Sequence, residues 1–251
     1  MTKPQDSRAA WMKGGQAQCS PQPQPSARAF RLVLLGAPGV GKGTQAELLS
    51  QRLGACHLST GDIFRAAKSL GVEERTPALN EALSYMSQGR LVPDATVLAA
   101  VREREGCLNC PCGFLLDGFP RTVAQAEALE KLLEQDGRPL TGVIDYELPI
   151  QELVERLGGR RTCSGCKAVY HLISHPPRTE NVCDRCGAAL YQREDDQPES
   201  IHVRMKAYQE STQPLIQFYQ QRGLLKSIKA DGTPVEIFQR TLAAFNGPAA
   251  A

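Results

Sequence analysis

No apolar run in the 251 residues approaches the roughly 20 that a helix needs to cross a bilayer, and the first residues lack the apolar stretch of a secretory signal. No membrane partner is expected, and the expected compartment is the cytoplasm. An excess of charge of one sign is missing too: 29 Lys and Arg stand against 27 Asp and Glu, a formal net charge of +2. Bulk electrostatics therefore give no case for nucleic acid or an anionic membrane surface as a partner. Any phosphate recognition must come from local clusters. The chain also lacks an internal repeat. What is present, 41% hydrophobic and 22% charged residues, reads as a globular protein that can bury a sizeable core, either one domain or one domain with inserted subdomains.

Nine cysteines are an odd count, and four of them form two CxxC pairs. In a reducing compartment that pattern reads as metal binding before disulfides. Residues 1–28 carry Pro21-Gln22-Pro23-Gln24-Pro25, Gly14-Gly15 and little apolar text, so they are expected to be a disordered or polyproline-like tail with nothing to pack a core. The tail is basic and nearly free of acid, a composition shared with organelle transit peptides, but its prolines oppose an amphipathic helix.

From Phe30 the text changes. Phe30-Arg31-Leu32-Val33-Leu34-Leu35 is a short apolar run ended by Gly36, which predicts a buried parallel strand. Gly113–Asp117 and Gly142–Leu148 predict two more strands. Helical spacing follows from Gly43 to Leu53, from Ala95 to Glu105 and from Ala124 to Gln135. Apolar strands alternating with helices predict an α/β fold with a parallel sheet covered on both faces.

Between the first strand and its helix stands Gly36-Ala37-Pro38-Gly39-Val40-Gly41-Lys42-Gly43-Thr44. Backbone N–H groups of a glycine-rich turn at a helix N-terminus cradle phosphate oxygens, and Lys42 can reach the terminal phosphates as a mobile point charge. The usual motif places a hydroxyl directly after the lysine; here Gly43 fills that slot and Thr44 brings the hydroxyl one residue late. Gly43 removes a side chain beside the phosphates. Further along, Arg65, Arg121, Arg156, Arg160, Arg193 and Arg204 are phosphate-binding candidates, because a guanidinium binds phosphate in bidentate fashion and keeps its charge near neutral pH. Each alone also reads as a solvated surface arginine. Asp117 closes an apolar strand, where open α/β sheets bind ligands; a buried Asp paired with a backbone amide or with Arg121 is the other reading.

Cys163-Ser164-Gly165-Cys166 and Cys183-Asp184-Arg185-Cys186 give C-x2-C-x16-C-x2-C, within the spacing of a closed four-thiolate zinc site. Disulfides and iron remain open from spacing alone. A zinc ribbon can also bind nucleic acid, but this segment lacks an aromatic and basic stripe. Cys107, Cys110 and Cys112 have no fourth ligand near in sequence and read as a loop without a metal role. Cys19 and Cys56 carry no signal.

Six stretches in order, GAPGVGKGT, Leu58–Arg65, Gly89–Asp94, Phe114–Thr122, Arg156–Arg161 and Tyr191–Asp196, resemble the adenylate kinase family, and the resemblance runs from about Phe30 to the C-terminus. It implies a P-loop NTPase-like five-stranded parallel sheet flanked by helices. The core would comprise residues 29–58, 89–155 and 198–251. A helical AMP-binding arm would occupy 59–88, and a zinc-binding LID 156–197. The implied reaction is reversible transfer of the terminal phosphoryl group of ATP to AMP, giving two ADP. The resemblance places Gly36, Pro38, Gly39, Val40, Gly41, Lys42, Gly43 and Thr44 around ATP, and Arg65 and Arg121 on the AMP phosphate. It places Arg156, Arg160, Arg193 and Arg204 on the ATP phosphates and the group in flight. Thr60, Gly61, Leu91, Val92, Gly118 and Gln125 would form the acceptor pocket. Asp117 would hold Mg2+ through its waters, and Cys163, Cys166, Cys183 and Cys186 a structural Zn2+. A monomer is implied as well. Two other classes stay open: a kinase for another nucleoside monophosphate, and a nucleotide-dependent switch whose zinc ribbon holds a partner.

Overall fold

The computed structural model describes Trp11, residues 29–67 and residues 77–246. Five parallel strands form the central sheet: β1 (Phe30–Gly36), β2 (Cys56–Ser59), β3 (Gly113–Asp117), β4 (Gly142–Glu147) and β8 (Leu225–Lys229). Their spatial order is β2-β3-β1-β4-β8. Neighbouring registers fix the chain ends that matter: Leu34 pairs with Asp117 across β1 and β3, and Ser59 pairs with Asp117 across β2 and β3. The turns after β1, β2 and β3 therefore open on the same edge of the sheet.

The side-chain period of two in a strand sends alternate residues to opposite faces, and here the two faces feed two cores. Val33, Leu35, Phe114, Leu116 and Val143 join one buried cluster. Leu32, Leu34, Leu115, Ile144 and Tyr146 join the other. The near-continuous apolar runs Leu32–Leu35 in β1, Phe114–Leu116 in β3 and Val143–Ile144 in β4 follow from this burial on both sides. Helices α4 (Asp94–Arg102), α6 (Val123–Gln135) and α9 (Pro214–Gln221) cover the first face through Val97, Ala126, Leu129 and Leu215. Helices α1 (Lys42–Leu53), α7 (Ile150–Gly158), α8 (Pro198–Ala207) and α10 (Pro234–Asn246) cover the second through Leu49, Leu153, Leu157, Ile201 and Ile237.

Two pieces depart from this layering. Helices α2 (Thr60–Ala67) and α3 (Pro77–Ser87) follow β2 directly. A three-stranded antiparallel sheet, β5 (Arg160–Cys163), β6 (Val169–His171) and β7 (Leu190–Tyr191), follows α7 in the order β6-β5-β7. Its own buried cluster is only Cys163, Ala168, Tyr170, Cys183 and Leu190, too little apolar matter to hold the segment unaided.

The helix expected over Ala95–Glu105 ends at Arg102, and a separate turn, α5 (Glu105–Leu108), precedes β3. The expectation that nothing in residues 1–28 packs a core is corrected at Trp11. Its indole is 1% exposed inside the first cluster, and an aromatic of that size supplies enough apolar area to hold a site even in polar, proline-rich surroundings. The rest of the expected tail lies outside the described residues.

Candidate active site

The loop Gly36–Gly41 is shaped by close approach. A Cβ on Gly36, at φ +126°, would stand 2.5 Å from the Tyr146 carbonyl oxygen, so no other residue fits this backbone position. Val40 is buried in the second core and anchors the turn. Gly41 is the N-cap of α1 and offers no side-chain cap; the first N–H groups of that helix have no side-chain partner from it and face the loop. Lys42 folds back, its Nζ donating to the Gly36 and Ala37 carbonyl oxygens at 2.6 and 3.0 Å. Burial pushes the Lys42 ammonium down to about 8, with Asp117 pulling the other way. Thr44 is exposed on the first turn. At Gly43 a Cβ would lie 3.6 Å from Asp117 Oδ2, so the residue after the lysine faces the carboxylate at the end of β3.

Asp117 is nearly buried, and His57 Nε2 stands 3.4 Å from its Oδ2. Burial alone would raise the Asp117 carboxyl, but His57 and Lys42 outweigh it and hold the group ionised, below the usual range. His57 was not singled out in the sequence: a lone buried histidine in an apolar strand carries no periodic signal.

Beyond Asp117, one carbonyl organises the acceptor side. Gly118 O accepts from Thr60 Oγ1 and from Arg121 Nε, both at 2.9 Å. Arg65 pairs with Asp62 at 2.6 Å, and its guanidinium lies over Gly61, where a Cβ would meet Nη2 at 2.7 Å. Burial works against the Arg65 charge, but Asp62 outweighs it and raises the group further. Gln125 is 2% exposed. Its Oε1 accepts the Arg121 N–H at 2.8 Å, and its Nε2 donates to Asp94 Oδ1 at 2.7 Å, while Thr122 Oγ1 donates to Asp94 Oδ2. A side-chain amide has two donors and two acceptor lone pairs, so one of each is left over. Asp94, not assigned a role in the sequence, is what aims this amide. Leu91 and Val92 are half-buried on the same side, Val92 against the first core.

The remaining arginines meet a pair of acids. Arg160 forms a bidentate pair with Asp196, which is wholly buried. Arg204 Nη1 bonds Asp196 Oδ1 at 3.0 Å, the Asp195 carbonyl at 2.7 Å and Asp195 Oδ2 at 3.1 Å. Arg193 Nε donates to Thr162 Oγ1 at 2.9 Å. Burial, with Arg160 adding repulsion, lowers Arg193 to about 9, and burial lowers Arg204 to about 10. Arg121 is lowered too, by burial first and then by Arg65 against the pull of Asp117. Six cations, Lys42, Arg65, Arg121, Arg160, Arg193 and Arg204, are thus linked in a chain of neighbouring charges, Lys42 to Arg121 and Arg204, Arg121 to Arg65, Arg193 to Arg65 and Arg160, with Asp62, Asp117, Asp195 and Asp196 set among them. Such an excess of partly desolvated positive charge suits a polyphosphate. Arg156 stands apart: its Nη2 donates to the Ala230 carbonyl at 3.1 Å, just past β8, and not to the acid pair.

The four LID cysteine sulfurs lie within 4.8 Å of one another. The two knuckles are near copies. Cys163 N–H bonds the Ala168 carbonyl and Cys183 N–H the Ala188 carbonyl, each at 2.9 Å, and the residues after the second cysteines, Lys167 and Gly187, both turn left-handed, with φ of 62° and 74°. The Tyr170 hydroxyl, 3.4 Å from Cys183 Sγ, leads the interactions that pull that thiol down to about 6. Four converging thiols, one poised as thiolate, fit a zinc ion. Outside the LID, Cys56 and Cys110 meet with sulfurs 3.2 Å apart in the first core, beside buried Cys107 and Cys112. The sheet brings Cys56 to that loop from a distance in sequence, which no local spacing could reveal.

Among the described residues no helix is long and apolar enough to cross a membrane. The family model described as adenylate kinase matches residues 34–224. The chain is similar to the adenylate kinase of Carboxydothermus hydrogenoformans, 49% identical over 209 residues that cover 83% of this chain and 96% of that one. It is 47% identical over 209 residues to that of Thermodesulfovibrio yellowstonii, covering 83% and 95%. Against that of Bacillus subtilis it is 50% identical over 199 residues, covering 79% and 90%.

Proposed function

The chain belongs to the adenylate kinase family, and from that premise we propose how its side chains carry out the reversible transfer of the terminal phosphoryl group of ATP to AMP, giving two ADP. The observation that carries the assignment is the convergence on Lys42, at the end of the glycine-rich loop, of Asp117, Arg121 and Arg204, with Arg121 also within electrostatic reach of Asp117. Phosphoryl transfer needs little covalent chemistry from a protein; it needs the two oxygens in line and the charge on the moving group neutralised.

The Gly36–Thr44 backbone and Lys42 hold the donor phosphates. Lys42 swings from the Gly36 and Ala37 carbonyls to a phosphate oxygen, and lowered solvation of its ammonium favours that exchange. Arg65 and Arg121 fix the acceptor phosphate, with Arg121 and Thr60 registered on the one carbonyl of Gly118. The free donor and acceptor of Gln125 read an adenine edge, with Leu91, Val92 and Gly61 against the base and ribose. Arg160, Arg193 and Arg204 bind the phosphates in flight. Arg156, expected on the ATP phosphates, would reach the donor from its bond to the Ala230 carbonyl, apart from the Asp195–Asp196 pair.

Mg2+, which the family uses with ATP, would supply positive charge that neutralises the donor phosphates. Asp117 fits as its carboxylate because His57 and Lys42 keep it charged and Gly43 leaves the space before it open. That is the physical reason for the displaced hydroxyl in the loop: a side chain at 43 would stand between Asp117 and the phosphates. Residues 59–88 form the AMP arm and residues 156–197 the LID, which exclude water so that ATP is not hydrolysed. The four LID cysteines hold a structural zinc with no open position. We take the working unit as a monomer in the cytoplasm, with ATP and AMP or ADP as its partners.

The test is chromatography of products from MgATP mixed separately with AMP, GMP, CMP and UMP, with one control lacking any acceptor. ADP should rise only with AMP, and ADP alone should return ATP and AMP. Equal rates with another monophosphate would move the base assignment; ATP loss without an acceptor would favour a nucleotide switch and undo the arginine roles.

A further inference from the structure

Trp11 stands ahead of residue 34, where the family match begins, yet it is one of the largest fully buried side chains, packed among Cys56, Leu58, Ile63, Phe64 and Phe114 in the first core. It is tied at two points. Its indole Nε1–H donates to the Ser59 carbonyl at 2.9 Å, and its own carbonyl accepts from Arg104 Nε at 2.7 Å. Arg104 is itself buried and also donates to the Ala100 carbonyl at 2.9 Å, so Trp11 is fastened to α4 on one side and to the end of β2 on the other.

The end of β2 is where position matters. β2 is an edge strand, and an edge leaves backbone groups without a partner in the sheet. Ser59 is its last residue, and Ser59 Oγ accepts the Asp62 N–H at 3.3 Å, capping the start of α2. The next residue, Thr60, bonds Gly118, and Arg65 lies one turn further along α2. Thr60, Gly61 and Arg65 therefore leave the sheet through the Ser59–Thr60 junction, where Trp11 holds the Ser59 carbonyl.

We propose that Trp11 is a positioning residue for the acceptor nucleotide: through Ser59 it fixes the β2–α2 junction and with it the stance of Thr60 and Arg65. This rests on the acceptor-site reading above. Trp11, although it precedes the family match, is then part of the acceptor site's framework. The role is specific to the indole N–H, since a phenyl ring would fill much of the same apolar space but donate nothing.

The experiment uses the full chain and two readouts. Trp11 is its only tryptophan, so intrinsic fluorescence reports this residue alone. In the free protein the emission should be that of a buried indole, protected from acrylamide, and AMP should change it in step with saturation of the acceptor site. Trp11→Phe should raise KM for AMP about three- to tenfold, the weight of one lost hydrogen bond, while KM for MgATP stays within about twofold. An exposed-type emission that acrylamide quenches freely would overturn the proposal without any variant. So would a Trp11→Phe enzyme whose KM for AMP is unchanged, or one whose two KM values rise together with a lower melting temperature, since that pattern is general destabilisation. If the unaltered protein makes no ADP from AMP, the acceptor reading itself fails, which is a different result from an altered KM in the variant alone.

Discussion

Asp196→Asn isolates the charge that holds the phosphate arginines in place. Asp196 is fully buried, Arg160 and Arg204 are 17% and 18% exposed in their side chains, and Asp196 is Arg160's only ion-pair partner among the described residues. The substitution keeps the shape and removes the negative charge, leaving Arg160 without its ion pair and with only the through-space attraction of Asp195, while Arg204 retains Asp195 at 3.1 Å. Removing one partner of a buried pair costs about 3–5 kcal/mol; because both arginines keep some solvent, the lower end applies, about 3 kcal/mol. For a chain of this size that corresponds to a fall in melting temperature of roughly 6–12 °C. Nucleotide phosphates offer the same arginines a replacement anion, so the loss should shrink under saturating MgATP. Thermal and urea denaturation of both proteins, with and without MgATP, measure this. A loss below about 1 kcal/mol in the free protein, the range of an exposed salt bridge, would refute the view that Asp196 anchors these side chains.

Asp145 is 1% exposed, and burial followed by repulsion from Glu147 raises its carboxyl to about 6. Its folded pKa lies above the unfolded value of 3.8, so the native state is favoured at low pH and loses that advantage as pH rises toward 6, by about 3 kcal/mol in all. Asp145→Asn should therefore be more stable than the parent at pH 7, with the difference vanishing toward pH 4; a difference independent of pH in paired urea titrations would reject the assignment. Arg121→Ala should lower turnover at least about a hundredfold while shifting the melting temperature by no more than about 2 °C, because it removes a phosphate clamp and no core contact; matching losses of activity and stability would defeat the role. Cys166→Ser should release zinc from the LID and loosen that segment. Unchanged zinc on elemental analysis would rule out the four-cysteine site.

Much of the fold was legible because burial on both faces writes near-continuous apolar runs into a strand. β1, β3 and β4 show this, and the observed bounds of β3, Gly113–Asp117, are those read from the sequence. β2 and β8 were not seen. Cys56-His57-Leu58-Ser59 is four residues long with two polar positions, and Leu225–Lys229 carries Lys226 and Lys229 on an edge strand that only half faces the core. Edge strands lose the two-sided apolar signature for that reason. The site divides the same way. Lys42, Asp117, Arg121 and the four cysteines Cys163, Cys166, Cys183 and Cys186 could be singled out because they sit in stretches with a recognisable spacing. His57, Asp94, Asp195 and Asp196 support them through contacts between segments 28 to 60 residues apart or through burial, and such partners have no local spacing to betray them. Trp11 is the extreme case, joined to Ser59 across 48 residues and to Arg104 across 93.

The acids among the arginines also explain how a site this cationic exists without its substrates. Clustered guanidiniums with lowered solvation repel one another, and the fall of Arg193 to about 9 and Arg204 to about 10 registers that strain. Asp195 and Asp196 neutralise Arg160 and Arg204, and Arg204, Arg65, Arg160 and Arg193 together pull the Asp195 carboxyl below its usual range against its burial. A carboxylate and a phosphate oxygen compete for the same fork of N–H donors, but the phosphate carries more charge. Binding is then an exchange of anions and not the desolvation of bare cations, which lowers its cost. The same exchange predicts a direction for salt: because protein carboxylates already screen the arginines, added chloride should weaken nucleotide binding less in the parent than in Asp196→Asn, whose Arg160 is left open to any anion. Titrations of MgATP affinity against KCl would show a steeper slope for the variant, and parallel slopes would mean that Asp196 does not occupy the phosphate position.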